Sequence, residues 1–323
     1  MPLRLDPELA EAMAPFAAAP KPDFQDALQI RASNSAVAAV TFMAVPFPEG
    51  IEETSHSITS LDGSTSIEVR RFLPRAVKDG PGPHRAVLFA FGGGFVSGSV
   101  QEFRSFIGKA AVETQSQYFG VQYRYAPEHP FPAAVEDVFS ALKWVQEHAA
   151  EFNVDPARVI VHGHSAGAGL VAGVALMARD KGLSPPLAGQ VLKYPMLDDR
   201  TSLSEDHPLT PFLSWPDKAN KIAWQAYLGG KEQSKRTEGT VSPYAAPARA
   251  HDLSGLPKTF IEVGGLDLFR DENIAYAAKL TSANVEVEFH LYPGLFHAYD
   301  GLAPNITLAK ASEENIYKFI KTL

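Results

Sequence analysis

The chain contains no cysteine. Disulfides, thiolate nucleophiles and cysteine-based zinc sites are therefore excluded, and a cytoplasmic location is the expectation. It also lacks any run of about 18 uninterrupted apolar residues, the length that a membrane-spanning helix requires. Lysine and arginine number 29 against 37 acids, a formal net charge of −8 with no basic cluster. Binding to a phosphate backbone needs concentrated positive charge. Neither nucleic acid nor a membrane is thus an expected partner. The opening residues MPLRLDPELAEAMAPF carry acids early and no continuous apolar segment, which does not read as a secretory signal.

What is present is ordinary globular composition: 323 residues, 45% apolar and 20% charged. That length predicts one large domain with an attached lid. Residues 1–50 are rich in Ala and Pro, with Phe16, Phe24, Phe42 and Phe47 spread among them. They read as short helices forming the N-terminal part of a helical cap. SHSITS and SIEVRRFL then alternate polar and apolar residues around Asp62-Gly63, a hairpin signal.

From about residue 85, apolar runs of strand length alternate with helical segments. The runs are 85–91, 118–123, 158–163, 189–197, 259–264 and 285–292. Continuous apolar runs suit strands buried on both faces of a parallel sheet. Pro132 opens a helix whose Val135, Val138, Phe139, Leu142 and Val145 share one face. Further helices are expected over 166–179, 271–282 and 304–322. Such alternation predicts an α/β fold, a mostly parallel doubly wound sheet. Residues 198–257 interrupt it with many prolines plus Phe212, Trp215 and Trp224. The core is therefore read as 51–323, with 198–240 able to contribute to the cap.

Gly163-His164-Ser165-Ala166-Gly167 matches G-x-S-x-G. By composition, the pattern arises by chance in about one chain of this size in ten. Its setting between a strand and a small-residue helix is what makes it informative, because the strained strand–turn–helix needs small neighbours. The rival reading of a Gly-rich phosphate turn lacks G-x-G-x-x-G or Gly-Lys-Ser/Thr. A serine hydroxyl needs a base to take its proton. Of ten histidines, His297 fits best, in the turn-rich loop PGLFHAYD after a late strand. His162 and His290 fall inside strands, and His164 adjoins Ser165 on a turn where neighbouring side chains diverge. The base needs a carboxylate to fix its tautomer. Asp267 follows the strand TFIEVG and is the first choice. Asp271 reads as a helix cap, and Asp198 and Asp199 form a backup pair. The order Ser165, Asp267, His297 is that of α/β-hydrolases.

Phe91-Gly92-Gly93-Gly94-Phe95 follows the strand at 85–91. Consecutive glycines let backbone N–H groups approach a ligand, as an oxyanion hole requires. The Ala166 N–H would add a donor. Substrate contacts are expected from Phe91, Phe95, His164, Phe212 and Trp215.

Four segments together resemble the hormone-sensitive-lipase-like esterases of bacteria and their plant and fungal relatives. They are FGGGF (91–95), YRYAPEHPFPAAVEDV (123–138), GHSAG (163–167), and DLFRDE (267–272) with GLFHAY (294–299). The resemblance covers about residues 85–300. It implies an α/β-hydrolase core under a helical cap, with Ser165 as nucleophile, Asp267 as orienting acid and His297 as base. It implies Gly93, Gly94 and Ala166 as oxyanion donors, and often a homodimer through the strand at 285–292. Two positions depart from it. Phe91 stands where the family has a histidine that braces the glycine loop, and His164 stands where Asp is frequent.

The expected reaction is hydrolysis of a short- to medium-chain or aryl ester, a small-molecule substrate, with no metal or organic cofactor called for. Alternatives are a non-hydrolytic or natural-product-tailoring enzyme of the same fold, such as an eliminating dehydratase, a small-molecule receptor, and a peptidase. Receptors of the family have lost the histidine that is retained here at 297. A peptidase would need an extra domain that does not fit this length.

Overall fold

The computed structural model describes residues 3–16 and 22–323; residues 1–2 and 17–21 of the expected cap segment lie outside it. Helix α1 (Pro7–Met13) starts at Asp6, whose carboxylate accepts from the N–H groups of Glu8 and Leu9, a standard N-cap. Asp26 caps α2 (Ala27–Val40) in the same way through Gln29. Strands β1 (Ile51–Thr59) and β2 (Ser66–Pro74) then pair antiparallel, Thr59 opposite Ser66. Asp62 closes their turn by accepting from the N–H groups of Ser64 and Thr65.

The remaining elements alternate: α3 (Arg75–Lys78), β3 (His84–Ala90), α4 (Arg104–Thr114), β4 (Gln117–Gln122), α5 (Ala133–Glu147), β5 (Val154–His164), α6 (Ala166–Asp180) and β6 (Gly189–Lys193). They continue with α7 (Asp217–Tyr227), β7 (Lys258–Gly264), α8 (Arg270–Ser282), β8 (Val287–Tyr292), α9 (Tyr299–Leu302) and α10 (Thr307–Lys321). One eight-stranded sheet results, in the order β1-β2-β4-β3-β5-β6-β7-β8. The pairs β1–β2 and β2–β4 are antiparallel, and every pair from β4–β3 to β7–β8 is parallel. This is the doubly wound sheet expected from the alternation.

Three differences from the expected elements have a local cause. Helix α4 is not among the helices expected from the sequence, because Gly108 and Lys109 interrupt its apolar residues. Strand β6 stops at Lys193 rather than 197, since Tyr194 takes a positive φ of 37° and Pro195 follows. Asp271 does not cap α8: it lies inside the first turn and pairs with Arg270 at 2.7 Å.

The core lies on both faces of the sheet. Val87, Leu88, Phe89, Ile160, Val161, Val191, Leu192, Phe260 and Ile261 are fully buried. Helix α6 buries nearly its whole length against the sheet centre, which is why its sequence lacks a polar stripe. Among the described residues no helix is long and apolar enough to cross a membrane.

Candidate active site

Ser165 occupies the sharp turn between β5 and α6 with φ 54° and ψ −119°. A non-glycine residue held there is strained, and close packing on either side enforces it. A Cβ on Gly163 would come within 2.4 Å of the Gly167 carbonyl, and one on Gly167 within 2.2 Å of the Ala90 carbonyl oxygen. The small residues that the sequence places here are therefore a steric necessity. The turn lifts the hydroxyl above the carboxyl edge of the sheet, where parallel α/β sheets open their crevices.

Ser165 Oγ lies 2.8 Å from His297 Nε2, and His297 Nδ1 lies 2.7 Å from Asp267 Oδ2. The loop after β7 carries the aspartate and the loop after β8 the histidine. The other Asp267 oxygen accepts from the Phe269 N–H at 2.8 Å, which fixes the carboxylate plane. The Phe269 ring stands edge-on to the imidazole at 5.0 Å, and Ser214 Oγ donates to the His297 carbonyl at 2.7 Å. All three side chains are buried. Asp198 and Asp199 take no part: Arg200 binds the first, and Arg249 binds the second inside the core.

The glycine loop lies against this row. Gly93 has φ 137° and Gly94 φ 64°. A Cβ on Gly94 would strike the Trp215 ring at 2.6 Å, so glycine is required twice over there. Neither N–H donates to another described residue. Ala166 begins α6, and a first helical N–H has no acceptor within its own helix. Three free amide protons thus gather around Ser165.

Phe91 is not at the cavity wall. It is fully buried beneath the loop, stacked on Tyr123 at 4.1 Å, and Tyr123 Oη donates to the Phe91 carbonyl at 2.7 Å. The imidazole brace that the resemblance implied is replaced from the other side. Ser97 Oγ donates to the Gly93 carbonyl, Asn34 Nδ2 to Ser97 Oγ (both 2.9 Å), and Arg31 Nε to the Val96 carbonyl at 2.7 Å. Asn34 and Arg31 belong to α2, so that helix grips the loop.

A cavity of about 260 Å³ opens over Ser165 and His297. Of the expected contact residues, His164 and Trp215 line it. Phe95 stacks on Tyr227 at 4.2 Å inside the core, and Phe212 packs half-buried against the core away from the lining. The sequence reading missed Asn34, Ser97, Glu102, Phe103, Tyr194 and Ser214. The aromatic count in residues 1–50 did point to Phe24 and Phe42, which form part of the wall.

Beneath the site lies a buried ionic group. Lys193 Nζ sits 2.8 Å from Asp300 and 3.8 Å from Glu262, and Tyr194 Oη donates to Asp300 at 2.8 Å. Burial acts against the lysine's charge, but Asp300 and Glu262 outweigh it and hold Lys193 above the ordinary lysine value. Burial, with Lys193 adding to it, drives His164 well below the usual histidine range. His164 is therefore a neutral wall residue.

The α/β-hydrolase fold model matches residues 87–300, two-thirds of the sequence. The chain belongs to the α/β-hydrolase fold family. Within it, the hormone-sensitive-lipase-like resemblance is borne out. The carboxylesterase NlhH of Mycobacterium tuberculosis is 38% identical over 244 residues, 75% of this chain and 74% of that protein. The structure of a bacterial heroin esterase superposes with a TM-score of 0.87 at 35% identity, covering 98% of this α/β-hydrolase and 97% of its own chain. That of the esterase LipW from Mycobacterium marinum reaches 0.80 at 32% identity, covering 99% and 96%.

Proposed function

We propose that Ser165, His297 and Asp267 hydrolyse short- to medium-chain and aryl carboxylic esters through an acyl-enzyme. The chain is a carboxylic ester hydrolase. The observation that carries the residue assignment is the unbroken row from hydroxyl to imidazole to carboxylate, with contacts of 2.8 and 2.7 Å. His297 takes the Ser165 proton as the hydroxyl attacks the ester carbonyl. The N–H groups of Gly93, Gly94 and Ala166 receive the oxyanion. His297 then protonates the departing alcohol and activates the water that frees the acid. Asp267 holds the imidazole in the tautomer that leaves Nε2 able to accept. The apolar wall of Phe24, Phe42, Phe103 and Trp215 favours an acyl or aryl group over a polar one.

Residues 1–50 and part of 198–240 act as the cap in this reading. A homodimer through the β8 edge and a cytoplasmic location belong to it as well. Strand β8 ends the sheet, and a chain without cysteine suits a reducing compartment. Ser165→Ala should lower kcat on a p-nitrophenyl ester by about a million-fold. Near-normal turnover by the alanine variant would remove the assignment.

A further inference from the structure

The cavity wall is almost free of charge. Among the described lining residues Glu102 is the one carboxylate, and no lysine or arginine joins it. Glu102 sits in the turn between the glycine loop and α4, where its own N–H donates to Ser99 Oγ at 3.1 Å. Its side chain is half-buried. The arginines around this turn are already committed. Arg70 pairs with Glu68, Arg104 with Glu53, and Arg31 with Glu128. Among the described residues, no cation lies within ion-pair distance of the Glu102 carboxylate. Burial pushes its carboxyl above the ordinary value, and the Ser99 N–H acts the other way.

A carboxylate in a half-dry cavity, without a counter-charge, loses solvation that the single Ser99 N–H restores only in part. The same cavity offers the rings of Phe24, Phe42, Phe103 and Trp215. Phe103 directly follows Glu102 and stacks on Phe42 at 4.9 Å. Aromatic faces attract cations. A carboxylate and an aromatic wall around one small space are the chemistry that holds an alkylammonium group. We propose that Glu102 is a specificity-determining residue that selects esters bearing an ammonium group. The inference rests on Ser165 and His297 being the hydrolytic pair.

The test uses esters that differ in charge and not in shape. Butyrylcholine is compared with 3,3-dimethylbutyl butyrate, which places the charge on the alcohol side. Ethyl 4-(trimethylammonio)butyrate is compared with ethyl 5,5-dimethylhexanoate, which places it on the acyl side. In at least one pair the cationic ester should have the higher kcat/KM by about tenfold or more. Glu102→Gln should bring that ratio to about one. A general folding defect would lower both members in parallel and preserve the ratio. A second measurement needs no variant: choline should compete with a p-nitrophenyl ester about tenfold better than 3,3-dimethylbutanol. Ratios near one in both pairs of the unaltered protein overturn the proposal. So does a preference that survives in Glu102→Gln. Failure to hydrolyse any ester, the p-nitrophenyl ester included, removes the hydrolytic reading itself.

Discussion

At the residue scale, polar groups in this molecule divide into those that are satisfied and those that are buried and kept neutral. His162, two places before the turn serine's neighbour Gly163–His164 pair ends, lies in β5 with neither ring nitrogen hydrogen-bonded. Phe89 and Phe106 stand edge-on to it at 5.3 and 5.8 Å. Burial, with the Lys193 charge adding to it, pushes its pKa down to about 3. Between about pH 6.5 and that value the unfolded chain binds a proton that the folded chain refuses. Stability from this group is therefore complete above pH 6.5 and lost as pH falls. His164 acts in the same direction. His162→Phe should lose less melting temperature than the unaltered protein between pH 7 and 4.5, measured by circular dichroism at each pH. Parallel curves for the two proteins would mean that His162 accepts the proton without cost.

The elements show where the sequence was readable. Strands β3, β4, β5 and β7 stood out because burial on both faces leaves an uninterrupted apolar run. The hairpin was legible through Asp62-Gly63, whose side chain and backbone freedom make the turn locally. Helix α4 was illegible: its mixed residues meet partners that only the folded chain supplies. Phe47, for example, packs under Gly108. The row of Ser165, His297 and Asp267 was legible because each member sits on a loop directly after a strand. The grip of α2 on the glycine loop was not, since Asn34 and Ser97 are 63 positions apart and neither type is distinctive. That grip carries a prediction. Asn34→Ala frees Ser97 Oγ from its donor and loosens the Gly93 carbonyl, so the oxyanion donors should lose alignment. A kcat lower by about tenfold with KM within about twofold is expected on a p-nitrophenyl ester. An unchanged kcat would make the contact a packing detail.

For the whole molecule, the cavity is assembled from stretches that are far apart in the chain: residues 22–42, 92–103, 164–165, 194, 214–216 and 297–302. No local pattern could have announced Glu102 as the one carboxylate among its described lining residues, nor that Phe91 and Phe95 would fall inside the core and Phe212 against it. Assembly beyond one chain turns on β8. Its outer side carries unpaired backbone groups, and Leu291 is exposed. An open strand edge of this kind is a template for pairing. Light scattering at micromolar concentration should give twice the chain mass. A single-chain mass at every concentration tried would show the edge to be left bare.

The aromatic wall of the cavity and the floor that carries Ser165 and His297 come from separate parts of the fold. The floor hangs on the ends of β3, β5, β6 and β8, while Phe24, Phe42 and Trp215 line the cavity from segments that contribute no strand. Appetite and chemistry can consequently be inherited apart. A lineage could trade one ceiling for another, and with it one diet for another, while the machinery underneath keeps cutting bonds as before.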